Sequence, residues 1–297
     1  MSSRFKIQWV IDQANTGKLI KEFLKEQEIS KRALTDIKFQ GGSILVHDRE
    51  ENVRFKLREG DILKLIFPQE IPSKGVKGEN LPLEIVFEDD YLLVVNKPTG
   101  MNTIPSREHP SGSLAHALIG YYERAGTEAT SHIVTRLDRN TSGLVLIAKH
   151  RHIHHLFSKM QQSGGVKRTY EAFVEGNICD SIGTIEQPIG RKDDSIIERE
   201  VREDGQYACT HFKVVEKLES FTHVELQLET GRTHQIRVHM SFIGHPLLGD
   251  DLYGGDISLI KRQALHCKQV RFLHPIKKKE VSFSAEMPGD MRKVLQG

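Results

Sequence analysis

The sequence predicts an α+β protein, with a small α/β module ahead of a larger domain built on a mainly antiparallel, mixed sheet. Three observations predict it. Two short helical patterns followed by short strands fill residues 1–68. Strand patterns dominate beyond residue 82. Helices and strands there alternate without the regular strand–helix–strand rhythm of a parallel sheet, and there is no internal repeat.

In chain order, Leu19, Ile20, Phe23 and Leu24 share one helical face within 18–27. Ser30 is placed to cap a second helix that carries Ala33, Leu34 and Ile37. Gly41-Gly42 ends that helix, and Ile44-Leu45-Val46 reads as a strand. Arg58-Glu59-Gly60-Asp61 is a turn before a strand over 62–67. Residues 69–82 carry Pro, Gly, Ser and Lys with little apolar content and read as a flexible linker.

The second domain, 83–297, opens with strands at 83–86 and 91–95. Ser113 is placed to cap a helix that carries Leu114, Ala117, Leu118 and Tyr121 on one face and ends at Gly126. Leu144 to Ala148 is an unbroken apolar run, hence a buried strand. Further strands fall at 169–174, 209–215 and 221–229, the last with period-2 alternation at Thr222, Val224, Leu226 and Leu228.

Composition narrows the class. With 38% apolar and 28% charged residues in 297, the chain can bury a core and fits two domains. No apolar run approaches the ~18 residues of a membrane span, and the first ten residues lack a signal-peptide core. Cys179, Cys209 and Cys267 are odd in number without metal spacing, which points to a reducing cytoplasm rather than disulfides. The net charge of +2 does not itself indicate nucleic acid. Residues 1–80 are slightly basic, with 15 Lys and Arg against 12 Asp and Glu, so contacts elsewhere must come from local patches.

One string carries the most chemistry: Thr135-Arg136-Leu137-Asp138-Arg139-Asn140-Thr141-Ser142-Gly143-Leu144. It presents a carboxylate between two arginines, next to a buried strand. Such a loop can hold a polyanion while aiming a nucleophile at it. A second string, Lys167-Arg168-Thr169-Tyr170-Glu171-Ala172-Phe173-Val174-Glu175-Gly176, places a tyrosine in a strand with basic neighbours. A third, Thr230-Gly231-Arg232-Thr233-His234-Gln235-Ile236-Arg237-Val238-His239-Met240, puts Gly-Arg-Thr at a helix start, a natural anion site.

Together these strings resemble the RluA/RluD family of RNA pseudouridine synthases. Val94 to Gly100, His245 to Asp250, Tyr253-Gly254, Leu265 to Cys267 and His274-Pro275 extend the likeness from about residue 81 to 290. The resemblance implies that family's catalytic fold over 83–297 and the isomerisation of uridine in RNA. It implies Asp138 as catalytic nucleophile and Arg136 as the arginine that fills the space of the flipped nucleotide. Tyr170, 32 residues after Asp138, would stack on the target base. Arg237 would pair with the aspartate, Arg139 and Arg232 would contact RNA, and Leu265 would line the base pocket. One departure is Thr135, where the family usually has His.

The N-terminal pattern resembles the S4-type RNA-binding domain, with Lys31 and Arg32 as RNA contacts. Family members with that domain mostly act on large-subunit ribosomal RNA, which makes it the expected substrate, with transfer RNA as the alternative. No cofactor is expected, and a monomer is. No metal is expected either: His150 and His154 are four apart, but the segment reads as a helix packed through Ile153, Leu156 and Met160 with its histidines mostly outward. Two rivals come from other classes. A non-catalytic RNA binder would not need Asp138, Tyr170 and Arg237 together. A glycosidase needs two carboxylates, and only one is well supported.

Overall fold

The computed structural model describes residues 4–70, 75–127 and 129–296. Its first part is a four-stranded antiparallel sheet with two helices. The elements are β1 (Lys6–Val10), α1 (Ile20–Glu26), α2 (Lys31–Phe39), β2 (Ser43–Val46), β3 (Arg49–Glu50) and β4 (Ile62–Ile66), in sheet order β1-β4-β2-β3. Ser30 caps α2 by accepting the Ala33 N–H at 3.1 Å. Ile20, Phe23, Leu24 and Ile37 are buried with Ile44, Leu63 and Leu65 in a core separate from that of the larger part.

The larger part is organised by one mixed sheet. Its elements begin with β5 (Glu84–Glu88), β6 (Leu92–Lys97), α3 (Leu114–Ala125), β7 (His132–Ile133), β8 (Ser142–Ala148) and α4 (Arg151–Gln162). There follow β9 (Val166–Glu175), β10 (Ile182–Glu186), the hairpin of β11 (Ile189–Arg191) and β12 (Arg199–Val201), β13 (Cys209–Lys217) and β14 (Phe221–Leu228). The chain ends with α5 (Gln235–Phe242), β15 (Leu265–Leu273), β16 (Glu280–Ser284) and α6 (Gly289–Gln296). Sheet order is β10-β13-β14-β9-β15-β8-β6-β5, with β16 on β15 and β7 on β8. The pairings are antiparallel except β15 with β8. This is the mixed, mainly antiparallel sheet that the strand patterns predict.

The parallel contact explains one glycine of the first motif. Gly143 has φ +114°, and a Cβ there would lie 2.3 Å from the Cys267 carbonyl oxygen. Only glycine lets the motif loop enter β8 this close to β15. β8 itself is buried along its length, as an apolar run on a central strand must be.

The segment expected to be a flexible linker is tied down on both sides. Residues 71–74 of it lie outside the described residues. After them, Glu79 donates its N–H to His116 O at 3.0 Å. Gly120 permits the approach, since a Cβ there would meet Glu79 O at 2.2 Å. Before them, the Glu70 carboxylate accepts the Arg151 N–H at 2.8 Å and pairs with His132 and with His150, the latter at 3.2 Å.

That contact corrects one expectation. The histidines around α4 do not point mostly outward: His150 and His152 are buried, His154 is partly so, and only His155 is exposed. The reason is the N-terminal module, which covers them. Phe5 stacks on His150 at 4.1 Å between ring centroids, and Phe67 stacks on His152 at 5.6 Å. A second, smaller correction is that α3 buries Tyr122, while Tyr121 lies at the margin and donates to Glu88.

Burial disfavours the charged imidazole and lowers the pKa of His150 to about 4 and of His152 to about 3, against an ordinary 6.5. When the chain unfolds, both rings take up protons below about pH 6.5, so stability is full above that and falls as pH drops toward about 4. The urea midpoint is therefore expected to fall between pH 7 and pH 5, and to fall less in His152→Phe. An equal fall in the variant would contradict this. Separately, Gly143→Ala is expected to cost at least about 3 kcal/mol in chemical denaturation.

Candidate active site

Asp138 lies in the loop between β7 and β8, and the loop is held from beneath. Leu137 is buried in the core, which turns the next side chain outward. The Leu137 peptide is gripped by Thr103, whose Oγ1 donates to Leu137 O at 2.7 Å and accepts the Leu137 N–H at 3.1 Å. Lys97, fully buried at the end of β6, donates to Pro98 O, Met101 O and Arg139 O at 2.9, 2.8 and 3.2 Å. Burial lowers the pKa of this lysine to about 7, although Asp138 nearby favours its charged form. Thr135, where the family usually has His, is buried and accepts the Leu146 N–H on Oγ1 at 2.9 Å. The loop thus starts pinned to β8.

The third motif builds the opposite wall. Gln235 uses its whole amide to fold the turn before α5. Its Oε1 accepts from Arg232 N–H and from Thr230 Oγ1, and its Nε2 donates to Cys209 O and Thr210 Oγ1, all within 2.8–3.0 Å. The first turn of α5 carries Arg237, only 6% exposed. It makes a bidentate ion pair with Asp250 at 2.7 and 2.7 Å, while Nη1 lies 3.4 Å from Asp138 Oδ2. Tyr253 lies beneath, with its ring centroid 4.8 Å from the guanidinium carbon. Burial works against the charge, but Asp250, with Asp138 behind it, raises the pKa of Arg237. The principal partner of Arg237 is therefore Asp250, and Asp138 is the second.

Asp138 stands where a small pocket opens into a large cleft. The pocket, about 70 Å³, includes Tyr170, Leu265, His234 and Arg237 in its lining. The cleft, about 1350 Å³, has Arg136, Arg139, Arg168 and Arg232 along it. Tyr170 is buried at the centre of the sheet, opposite Leu226 of β14 and Cys267 of β15, and its hydroxyl accepts from Arg168 at 3.2 Å. Burial raises the pKa of that hydroxyl. Arg136, Arg139 and Arg232 are exposed. Arg139 donates to Gly100 O at 3.1 Å and Arg232 to Tyr207 O at 2.9 Å, which aims both without neutralising them.

The structure therefore brings Asp138, Tyr170, Arg237, Leu265, Arg136, Arg139 and Arg232 to one place. Lys31 and Arg32 are exposed at the start of α2 and line neither pocket nor cleft. Sequence reasoning missed Asp250, His234, Tyr253, Lys97 and Arg168. Asp250 and Tyr253 were visible only as continuations of the third motif, because a partner 13 residues away across a turn has no periodic signal. Three side chains elsewhere, Cys209, His211 and Glu229, bring ligand atoms within 4.8 Å of one another. His211 there is already engaged on both ring nitrogens, by Glu229 at 2.8 Å and Thr184 at 2.8 Å.

Comparison with known proteins agrees with this geometry. Residues 91–242 match the family model for RNA pseudouridylate synthase. The chain is 51% identical over 278 residues to an uncharacterised RNA pseudouridine synthase, YjbO, of Bacillus subtilis, covering 94% of this chain and 98% of that protein. The chain belongs to the RluA/RluD family of RNA pseudouridine synthases. It is also 38% identical over 253 residues to ribosomal large subunit pseudouridine synthase D of Zymomonas mobilis, covering 80% and 79% of the two chains. Among solved structures it resembles human RNA pseudouridylate synthase domain containing 1, with a TM-score of 0.58, 26% identity, and coverage of 70% of this chain and 85% of that one. The synthase isomerises uridine in RNA to pseudouridine.

The two carboxylates that share Arg237 are expected to separate in stability measurements. Asp250 is wholly buried, so Asp250→Ala leaves an uncompensated buried guanidinium and should cost roughly 3–5 kcal/mol. Asp138 is partly exposed and its contact is long, so Asp138→Ala should cost under about 1 kcal/mol. Urea denaturation of both variants checks this, and a reversed order would contradict Asp250 as the principal partner of Arg237.

Proposed function

We propose that the synthase acts on large-subunit ribosomal RNA, with Asp138 as nucleophile, Tyr170 and Leu265 as base pocket, and Arg237 as partner of the aspartate. The observation that carries this is the position of Asp138, at the junction of a small pocket lined by Tyr170 and Leu265 and an arginine-lined cleft. The reaction breaks the N1–C1′ bond, forms a C5–C1′ bond, and moves one proton from C5 to N1, so it needs no outside reagent. A carboxylate engages the sugar, and the freed base must be held while it turns. Arg237 sets a fixed positive charge 3.4 Å from the Asp138 carboxylate, which steadies it as it engages the sugar. Asp250 does not act as a second reagent, since both its oxygens are taken by Arg237. That leaves a single working carboxylate, which suits this chemistry rather than glycoside hydrolysis.

The target uridine leaves its stack at a cost of a few kcal/mol. Arg136 projects into the cleft two residues before Asp138 and fills the vacated space. Tyr170 holds the base by stacking, an interaction of about 1–3 kcal/mol that tolerates any base. Arg139 and Arg232 contact the phosphate path, joined by Arg168. The N-terminal sheet module, an S4-like domain over 1–68 ahead of the linker at 69–82 and the catalytic domain at 83–297, adds RNA contacts through Lys31 and Arg32. The ribosomal substrate rests on the likeness to enzymes named for the large subunit, and a cytoplasmic monomer is part of the same proposal. No helix among the described residues is long and apolar enough to cross a membrane.

The test is pseudouridine mapping on ribosomal and transfer RNA made without modifications, with wild type beside Asp138→Asn. Modification at defined large-subunit sites by wild type alone is expected. Modification confined to transfer RNA would move the substrate, and equal modification by Asp138→Asn would remove its assigned role.

A further inference from the structure

His234 lies in the turn before α5 and is the one non-glycine residue of that turn with positive φ, at +57°. Such backbone is sparsely populated and persists where the surroundings fix it. Two contacts fix this ring. Nδ1 lies 2.8 Å from the Tyr253 hydroxyl, and Nε2 lies 3.8 Å from Asp138 Oδ2. The Tyr253 hydroxyl also accepts the Arg199 N–H at 3.0 Å, so its own proton has Nδ1 as acceptor. A ring that accepts on Nδ1 and is neutral carries its proton on Nε2. That proton faces Asp138.

We propose that His234 is a positioning residue for the nucleophile: a neutral imidazole whose Nε2–H, oriented by Tyr253, steadies the Asp138 carboxylate alongside Arg237. This rests on the reading of Asp138 as nucleophile. A separation of 3.8 Å is too long for a full hydrogen bond, but catalytic contacts often tighten only when substrate closes the site. Burial holds His234 below its ordinary pKa against the pull of Asp138, which keeps the ring a donor rather than a cation at neutral pH. The charged and titratable groups around the pair are Arg237 from α5, Asp250, Arg199 from β12, Lys97 from β6, Tyr170 from β9 and Tyr253. Arg237 supplies a fixed positive charge. His234 supplies direction at the same oxygen without adding charge.

The experiment compares His234→Asn and His234→Gln with wild type and Asp138→Asn in steady-state isomerisation of an unmodified RNA substrate. Asparagine tolerates positive φ well, so it preserves the turn, but its amide is too short to reach Asp138. Glutamine places an amide N–H near the position of Nε2. His234→Asn is expected to lower kcat roughly tenfold or more, as for loss of a donor to a charged group. KM should stay within about twofold, since the interaction serves the chemical step. His234→Gln should recover most of the loss, and its pH–rate profile should overlay wild type between about pH 6 and 8.

Full activity of His234→Asn would overturn the proposal. So would equal loss in both variants, which would make the ring a packing element. A wild-type limb in that pH range that vanishes in His234→Gln would make His234 a base and overturn the donor role. Activity of Asp138→Asn at the wild-type level would overturn the nucleophile assignment and this proposal with it.

Discussion

The site depends on one guanidinium. Arg237 is buried, charged and shared between two carboxylates. A buried charge of this kind is stable only if it is paired and hydrogen-bonded. Asp250 satisfies it with two short bonds and is fully enclosed. What remains of the guanidinium points at Asp138, which is more open and farther away. The tight pair therefore makes the loose one usable: Asp138 gains a positive neighbour without being locked by it.

The rest of the catalytic domain serves to keep that geometry. The Asp138 loop leaves β7 pinned through Thr135, is held at Leu137 by Thr103 and at Arg139 by Lys97, and re-enters the sheet at Gly143. Arg262 adds a contact to Asn140 O at 3.2 Å, and Gln263 another to Thr141 at 3.2 Å. On the facing side, Gln235 divides its hydrogen bonds between the turn that starts α5 and strand β13. One wall is thus a loop bonded to the sheet at several points and the other a helix tied to it, and a geometry held to rigid elements is kept better than on free loops. Tyr253 links these walls to the β11–β12 hairpin, because its hydroxyl touches both Arg199 and His234.

Much of this was legible in the sequence, for identifiable reasons. β8 declared itself as an unbroken apolar run, α2 by its serine cap and glycine stop, and α5 by Ile236, Met240 and the Gly-Arg-Thr before it. Asp138, Tyr170, Leu265, Arg136, Arg139, Arg232 and Arg237 meet around the pocket and cleft because three motifs that are distant in the chain lie on adjacent strands and one helix. What stayed hidden was relational. Nothing in the His150–His155 segment says that Phe5 and Phe67 will cover it, so its histidines read as exposed. Asp250 is one acid in a glycine-rich turn until the fold sets it against Arg237. Lys97 is a lysine at a strand end until three carbonyls converge on it. Thr135 shows how a departure from the family pattern is absorbed: its hydroxyl serves the β8 backbone.

The central claim is that Asp250, Arg237 and Asp138 work as a unit. The direct test is a double-mutant cycle on the single-turnover rate of isomerisation, using Arg237→Gln, Asp250→Asn and the double variant. If Asp250 acts through Arg237, the double variant will be no slower than Arg237→Gln alone. If the two losses multiply, Asp250 and Arg237 act independently, and the shared guanidinium is not what holds Asp138.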